Sequence, residues 1–180
     1  STTIDLAHRY DHIYASVGVH PSEVGNLTEE DMDIIKERSS DKKVVAIGEI
    51  GLDYHWEPYD KELQKKAFTA QMDLANDIDI PVIIHSRDAA KDTFDIIKEY
   101  SLKGVRGIVH CYGYSSEYAR EFVKIGYKIG IGGVLTFKNA RRLVETAECI
   151  SLDDIVLETD SPYMAPTPHR GKRNSSLYIP

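Results

Sequence analysis

The chain is poor in cysteine and tryptophan and has no excess of positive charge. Its two cysteines, Cys111 and Cys149, cannot build a disulfide framework. Stability must then come from a packed core, and a reducing, cytoplasmic setting is expected. No apolar run approaches the roughly 18 residues of a membrane span, and no leader with an apolar centre opens the sequence. Lys and Arg total 22 against 29 Asp and Glu, a formal net charge of -7. Such a surface does not hold nucleic acid by bulk positive charge, whereas handling phosphate through bound cations stays open. There is no glycine loop of the P-loop or dinucleotide type. Ser86 lacks the flanking glycines of a nucleophile elbow. No cysteine has the spacing of a structural zinc ligand.

What is present is ordinary for a globular domain: 180 residues, 42% hydrophobic and 28% charged. That supports a single domain over 1–180 with a sizeable core. Short continuous apolar runs read as strands buried on both faces: Ile13–Val19, Val44–Ile50, Pro81–Ile84, Gly107–Val109, Lys128–Ile131 and Ile155–Leu157. Helical stripes fill the gaps. Leu63, Ala67, Ala70, Leu74 and Ile78 form one; Phe94, Ile97 and Tyr100 a second. Tyr118, Ala119, Phe122 and Val123 form a third, with Ser115 and Ser116 as the cap region. Leu143, Val144, Ala147 and Ile150 form a fourth. A helix over Thr28 to Arg38 is capped by Thr28, with Glu29, Glu30 and Asp31 complementing its dipole. The first dozen residues read as a helix capped at Thr2 or Thr3, with Ile4, Ala7 and Tyr10 inward. The last dozen read as a loop. Strands alternating with helices at this spacing predict an α/β fold with a parallel sheet.

The polar residues fall in one register. His20, His85 and His110 each follow a candidate strand, Glu49 lies inside one, and Asp160 comes shortly after another. In a parallel βα array those ends open on the same face, which in a barrel carries the active site. Histidine with carboxylate suits Mg, Mn or Zn, and a shared carboxylate can hold two ions. Other signals are weaker. Arg87 either clamps a phosphate or pairs with Asp88. Asp53 and Tyr54 line the same mouth or stabilise a loop. Glu158 shares a strand face with Asp160 if the strand continues. Arg170, Lys172 and Arg173 form either a phosphate grip or a solvated basic loop. Trp56, with Tyr54, either stacks on a base or packs in a loop. His8, His12 and His55 read as surface residues.

Six segments together resemble the TatD family of metal-dependent deoxyribonucleases: Gly-Val-His-Pro at 18–21, Gly-Glu-Ile-Gly-Leu-Asp-Tyr at 48–54, Ile-His-Ser-Arg-Asp-Ala at 84–89, His-Cys-Tyr-Gly at 110–113, Glu-Thr-Asp-Ser-Pro-Tyr at 158–163 and His-Arg-Gly-Lys-Arg-Asn at 169–174. The resemblance implies a TIM-type (β/α) barrel with two divalent ions, Mg, Mn or Zn. It implies that Glu49 bridges the ions, that His85 and His110 bind one, and that Asp160 binds the other and takes a proton from the attacking water. His20 would sit beside the substrate phosphate; Arg87 and the basic loop near Arg170 are candidate substrate positioners on the reading of the residues themselves. The implied substrate is DNA, single-stranded or at 3′ ends. The alternatives are hydrolysis of amide or aminoacyl-ester bonds on a similar barrel, or a chain without activity. One departure stands out: the family's His-x-His motif is absent. With strand-end markers at 20, 49, 85, 110, 132 and 160, the expectation is about six of eight βα units in an incomplete barrel. Its open sheet edges would favour self-association.

Overall fold

The computed structural model describes residues 2–179, with Thr2 described by its backbone alone. The chain divides into two compact units after Gly107. Every pairing described within them is parallel. With helices alternating between the strands, the fold class is the expected α/β.

The first unit contains α1 (Thr2–Arg9), β1 (Ala15–Val17), α2 (Glu29–Ser39), β2 (Val44–Asp53), α3 (Lys61–Ile78), β3 (Val82–Arg87) and α4 (Ala90–Ser101). The expected start of α2 is confirmed in detail. Thr28 accepts from the Asp31 backbone N–H, and Asp31 accepts from the Thr28 backbone N–H, a reciprocal capping box. Ala7, Ala15 and Val44 form a small buried cluster with Ile4, Ile13 and Val17 against it. Tyr10, expected inward, lies beyond α1 and is half exposed. Thr3 is inside α1 rather than at its boundary, and the side chain of Thr2 lies outside the described residues.

The longest helix, α3, buries more than its apolar stripe. Phe68 and Met72 are fully buried, each worth about 1.5–3 kcal/mol in transfer from water. Two glutamines, Gln64 and Gln71, are buried beside them. Gln71 accepts from the Val19 backbone N–H at 2.7 Å and donates to the Val19 carbonyl at 3.1 Å. Gln64 does the same for Asp53, at 2.8 Å in both directions. These amides complete backbone groups where β1 and β2 run out, and so hold the segments that carry His20 and Asp53.

The strand β2 is longer than its apolar run because Gly51, Leu52 and Asp53 pair with His85, Ser86 and Arg87. His85 is therefore inside β3, not beyond it. The register slips between Ile47 and Ile50. A bulge there carries Gly48 and Glu49. A Cβ on Gly48 would lie 2.6 Å from the Ile83 side chain, so only glycine lets the strands approach at the bulge.

The second unit contains the body of β4 (Gly107–Val109), then α5 (Ser116–Lys124), β5 (Lys128–Ile131), α6 (Arg141–Cys149) and β6 (Ile155–Leu157). These three strands match the expected bounds, including the glycine-rich β5. The core includes Val109, Ala119, Phe122, Tyr127, Ile129 and Leu143. Two local expectations fail. Ser115 precedes α5 but makes no side-chain cap bond. On α6 Val144 is exposed and Thr146 is buried in its place. The Thr146 hydroxyl donates to the Arg142 carbonyl at 3.0 Å, which removes the penalty of burying it. The final segment is loop apart from one 3₁₀ turn, Ser176–Tyr178. Among the described residues, no helix is long and apolar enough to cross a membrane.

Candidate functional site

In the first unit His20, Glu49 and His85 each offer one donor atom, and those atoms lie within 4.8 Å of one another. Two imidazoles and a carboxylate at that spacing fit a divalent ion. Nδ1 of His85 lies 2.9 Å from Glu49 Oε1, and Nε2 lies 2.9 Å from Asp53 Oδ2. Asp53 is buried, and its other oxygen accepts from the His55 backbone N–H at 2.9 Å. The His20 ring meets the His85 ring edge-on at 4.3 Å between centroids.

His20 also lies just beyond β1, which ends at Val17, and caps the 3₁₀ turn Pro21–Asn26. Its Nδ1 accepts from the Ser22 backbone N–H at 3.2 Å. The Ser22 hydroxyl lies 2.8 Å from the same nitrogen and can also donate to it; with Nδ1 accepting, a neutral ring would carry its proton on Nε2 and serve as a donor rather than an ion ligand. Burial, and then the neighbouring His85, push the His20 pKa down; the charges of Glu49, Asp53 and Glu23 oppose them. A neutral ring with an Nε2–H is a hydrogen-bond donor to an anionic oxygen.

In the second unit His110 follows β4. Its Nδ1 lies 2.6 Å from Glu158 Oε2, and its Nε2 lies 3.9 Å from Asp160 Oδ1. The other oxygen of Glu158 accepts from the Cys111 backbone N–H at 2.5 Å. β6 ends at Leu157, so Glu158 and Asp160 do not share a strand face. They meet His110 on opposite nitrogens instead. Glu158 reaches it over β5, where a Cβ on Gly130 would come within 2.6 Å of the Glu158 carboxylate. Asp160 is the more open of the pair, 42% exposed against 15% for Glu158.

The remaining residues sort as follows. Arg87 does not take Asp88, which pairs with His55 at 2.8 Å. Its guanidinium lies 5.3 Å from the centre of the Trp56 ring. Trp56 is 67% exposed, whereas Tyr54 is buried. Tyr54 stacks on Tyr59 and donates to Asp92, so it is not a base platform. Arg170 is exposed and lies over the Phe137 ring at 3.5 Å. His8 is tied to Asp41 at 2.8 Å, as a surface pair. The roles of Asp53 and Glu158 were not readable in sequence. Their one visible signal was an acid four residues after Glu49 and another two before Asp160.

The family model described as TatD related DNase matches residues 1–180. YabD of Bacillus subtilis, named an uncharacterized metal-dependent hydrolase, is 46% identical over 98% of this chain and 69% of its own length. YcfH of Escherichia coli carries the same description and is 37% identical, over 97% of this chain and 65% of its own length. The chain thus spans about two thirds of these relatives. The crystal structure of YjjV, a TatD homolog from Escherichia coli, superposes with a TM-score of 0.88 at 34% identity, covering 96% of this chain and 67% of that one. A TatD family hydrolase from Entamoeba histolytica gives 0.77 at 29% identity, covering 92% and 58%.

Proposed function

The chain belongs to the TatD-related DNase family, and on that premise we propose that it is a metal-dependent hydrolase that cleaves phosphodiester bonds in DNA. The observation that carries this reading is that each unit holds its own pairing of imidazole and carboxylate at or just beyond a parallel strand: His85 with Glu49 in the first, His110 with Asp160 in the second. Glu49 and His85 in the first unit, and His110 and Asp160 in the second, are the residues that would hold divalent ions. Such ions lower the pKa of a water and neutralise charge on the phosphate as its ester bond breaks.

The chain's own residues supply the rest. The Asp160 carboxylate, the more exposed acid beside His110, takes the proton of the water whose oxygen attacks phosphorus. The P–O bond to the leaving nucleoside breaks as the new one forms, and the departing oxygen takes up a proton from solvent. His20 donates its Nε2–H to a phosphate oxygen, as the fixed bond from Ser22 requires of a neutral ring. Arg87 adds a positive charge, and the exposed Trp56 beside it offers a face for a base at a strand end or in single-stranded DNA. Arg170 is the corresponding charge in the second unit.

The decisive experiment is Glu49→Ala. It should lose metal binding by calorimetry and, together with it, cleavage of single-stranded DNA in Mg, Mn or Zn. A variant that degraded DNA at the wild-type rate would overturn the reading. Assaying a phosphodiester, an amide and an aminoacyl ester side by side identifies the bond class.

A further inference from the structure

Asp53 and Glu158 share an arrangement that the proposed chemistry does not by itself require. Each carboxylate has one oxygen fixed by a backbone N–H, from His55 or Cys111. Each turns its second oxygen to one nitrogen of an imidazole: Nε2 of His85 at 2.9 Å, Nδ1 of His110 at 2.6 Å. We propose that these two carboxylates are positioning residues that set opposite tautomers, with His85 protonated on Nε2 and His110 on Nδ1. The lone pair of His85 then lies on Nδ1, toward Glu49, and that of His110 on Nε2, toward Asp160. The tautomers stand on the hydrogen-bond geometry alone; their use for ion binding rests on the hydrolase reading above.

The argument for His110 is direct. An ionised carboxylate only accepts, so the nitrogen at 2.6 Å must donate. His85 meets a carboxylate at each nitrogen, and a neutral ring can serve only one. Asp53 has the stronger claim. Its side chain is 8% exposed, whereas that of Glu49 is 32% exposed and can be served by solvent or an ion. Leaving the buried acid without its donor is the more costly choice. Buried carboxylates behind imidazoles orient metal ligands in this way, and their loss typically costs about 10–100-fold in metal affinity.

The amide variants give a test that shape alone does not explain. In Glu158→Gln the Cys111 N–H keeps the side-chain oxygen, so the NH2 group faces Nδ1 of His110. That nitrogen must then accept, and the proton moves to Nε2. In Asp53→Asn the His55 N–H keeps the oxygen, the NH2 faces Nε2 of His85, and the proton moves to Nδ1. Long-range proton–nitrogen correlation on the metal-free, 15N-labelled chain, at about two pH units above the ordinary imidazole pKa, reads both rings. The wild type should show His85 Nε2–H and His110 Nδ1–H, and each amide variant should reverse its own ring only. Calorimetric titration with Mn should show affinity reduced about 10–100-fold in each variant. Wild-type rings with the reverse protons, or amide variants that keep both tautomer and Mn affinity, would overturn the proposal. The wild-type spectrum decides even if a variant does not fold. The assigned tautomers in a chain that binds no Mn would uphold the positioning role and sink the hydrolase reading instead.

Discussion

The two units hold their key imidazoles by the same device built to different lengths. In the first, an aspartate on β2 reaches His85 on β3, the next strand over. In the second, a glutamate beyond β6 reaches past β5 to the histidine that follows β4. Neighbouring strands lie about 4.8 Å apart. One spacing suits the short acid; two need the longer one and a clear path, which Gly130 provides. The lesson is that a carboxylate's reach, and the emptiness along its way, decide which nitrogen of a histidine is left to a ligand. The device also faces opposite nitrogens in the two cases, so His85, within β3, and His110, just beyond β4, are not interchangeable.

The comparison can be broken most severely at Gly130. An alanine Cβ there must displace the Glu158 carboxylate, which is the far end of a flexible side chain. The fold should survive while Glu158 loses His110 and Cys111. Gly130→Ala is therefore expected to weaken Mn binding by about tenfold or more, with His85 keeping its tautomer. Calorimetry and the imidazole spectrum check it together.

A smaller effect should separate the units in the other direction. Gln64 satisfies both backbone groups of Asp53. Gln64→Ala should cost about 1–3 kcal/mol in urea unfolding and loosen His85 while leaving His110 as it was. Gln71→Ala removes the matching clasp on Val19 and should cost a similar amount, with its functional effect on His20 instead.

The smallest effect serves as the control. The Thr28 hydroxyl and backbone N–H hold the Asp31 pKa below its ordinary 3.8. A depressed carboxylate adds stability that is present above the unfolded pKa and lost as pH falls through the folded one. The melting difference between wild type and Asp31→Asn should thus be constant near neutrality and close below about pH 4. It should touch neither histidine. A change in either ring would mean that the variants above report general loosening rather than lost positioning.

Much of the fold was legible because it rests on local pattern. The runs at 107–109, 128–131 and 155–157 are the strands themselves, since continuous apolar residues are what a strand covered on both faces needs. Thr28 with Asp31 announced a helix start for an equally local reason. The failures have a common cause. β3 continues through His85, Ser86 and Arg87 because β2 offers them a ladder, not because they are apolar. Thr146 can replace Val144 on the inner face of α6 because its hydroxyl finds a carbonyl within its own helix. Between base stacking and loop packing, both open for Tyr54 from its place beside Trp56, only tertiary contacts with Tyr59 and Asp92 decide for packing.

The candidate site divides in the same way. Sequence alone marked the candidate residues, since His20, His85 and His110 follow apolar runs and Glu49 and Asp160 lie within or shortly after others. It also determined the family, through motifs that need no coordinates. Only the tertiary structure decided what each imidazole presents. A tautomer depends on which acceptor lies within 3 Å of which nitrogen. Asp53 is 32 residues from His85, and Glu158 is 48 from His110. Partners so far apart along the chain meet only once the strands have paired, the bulge at Glu49 has formed and Gly130 has left the way open.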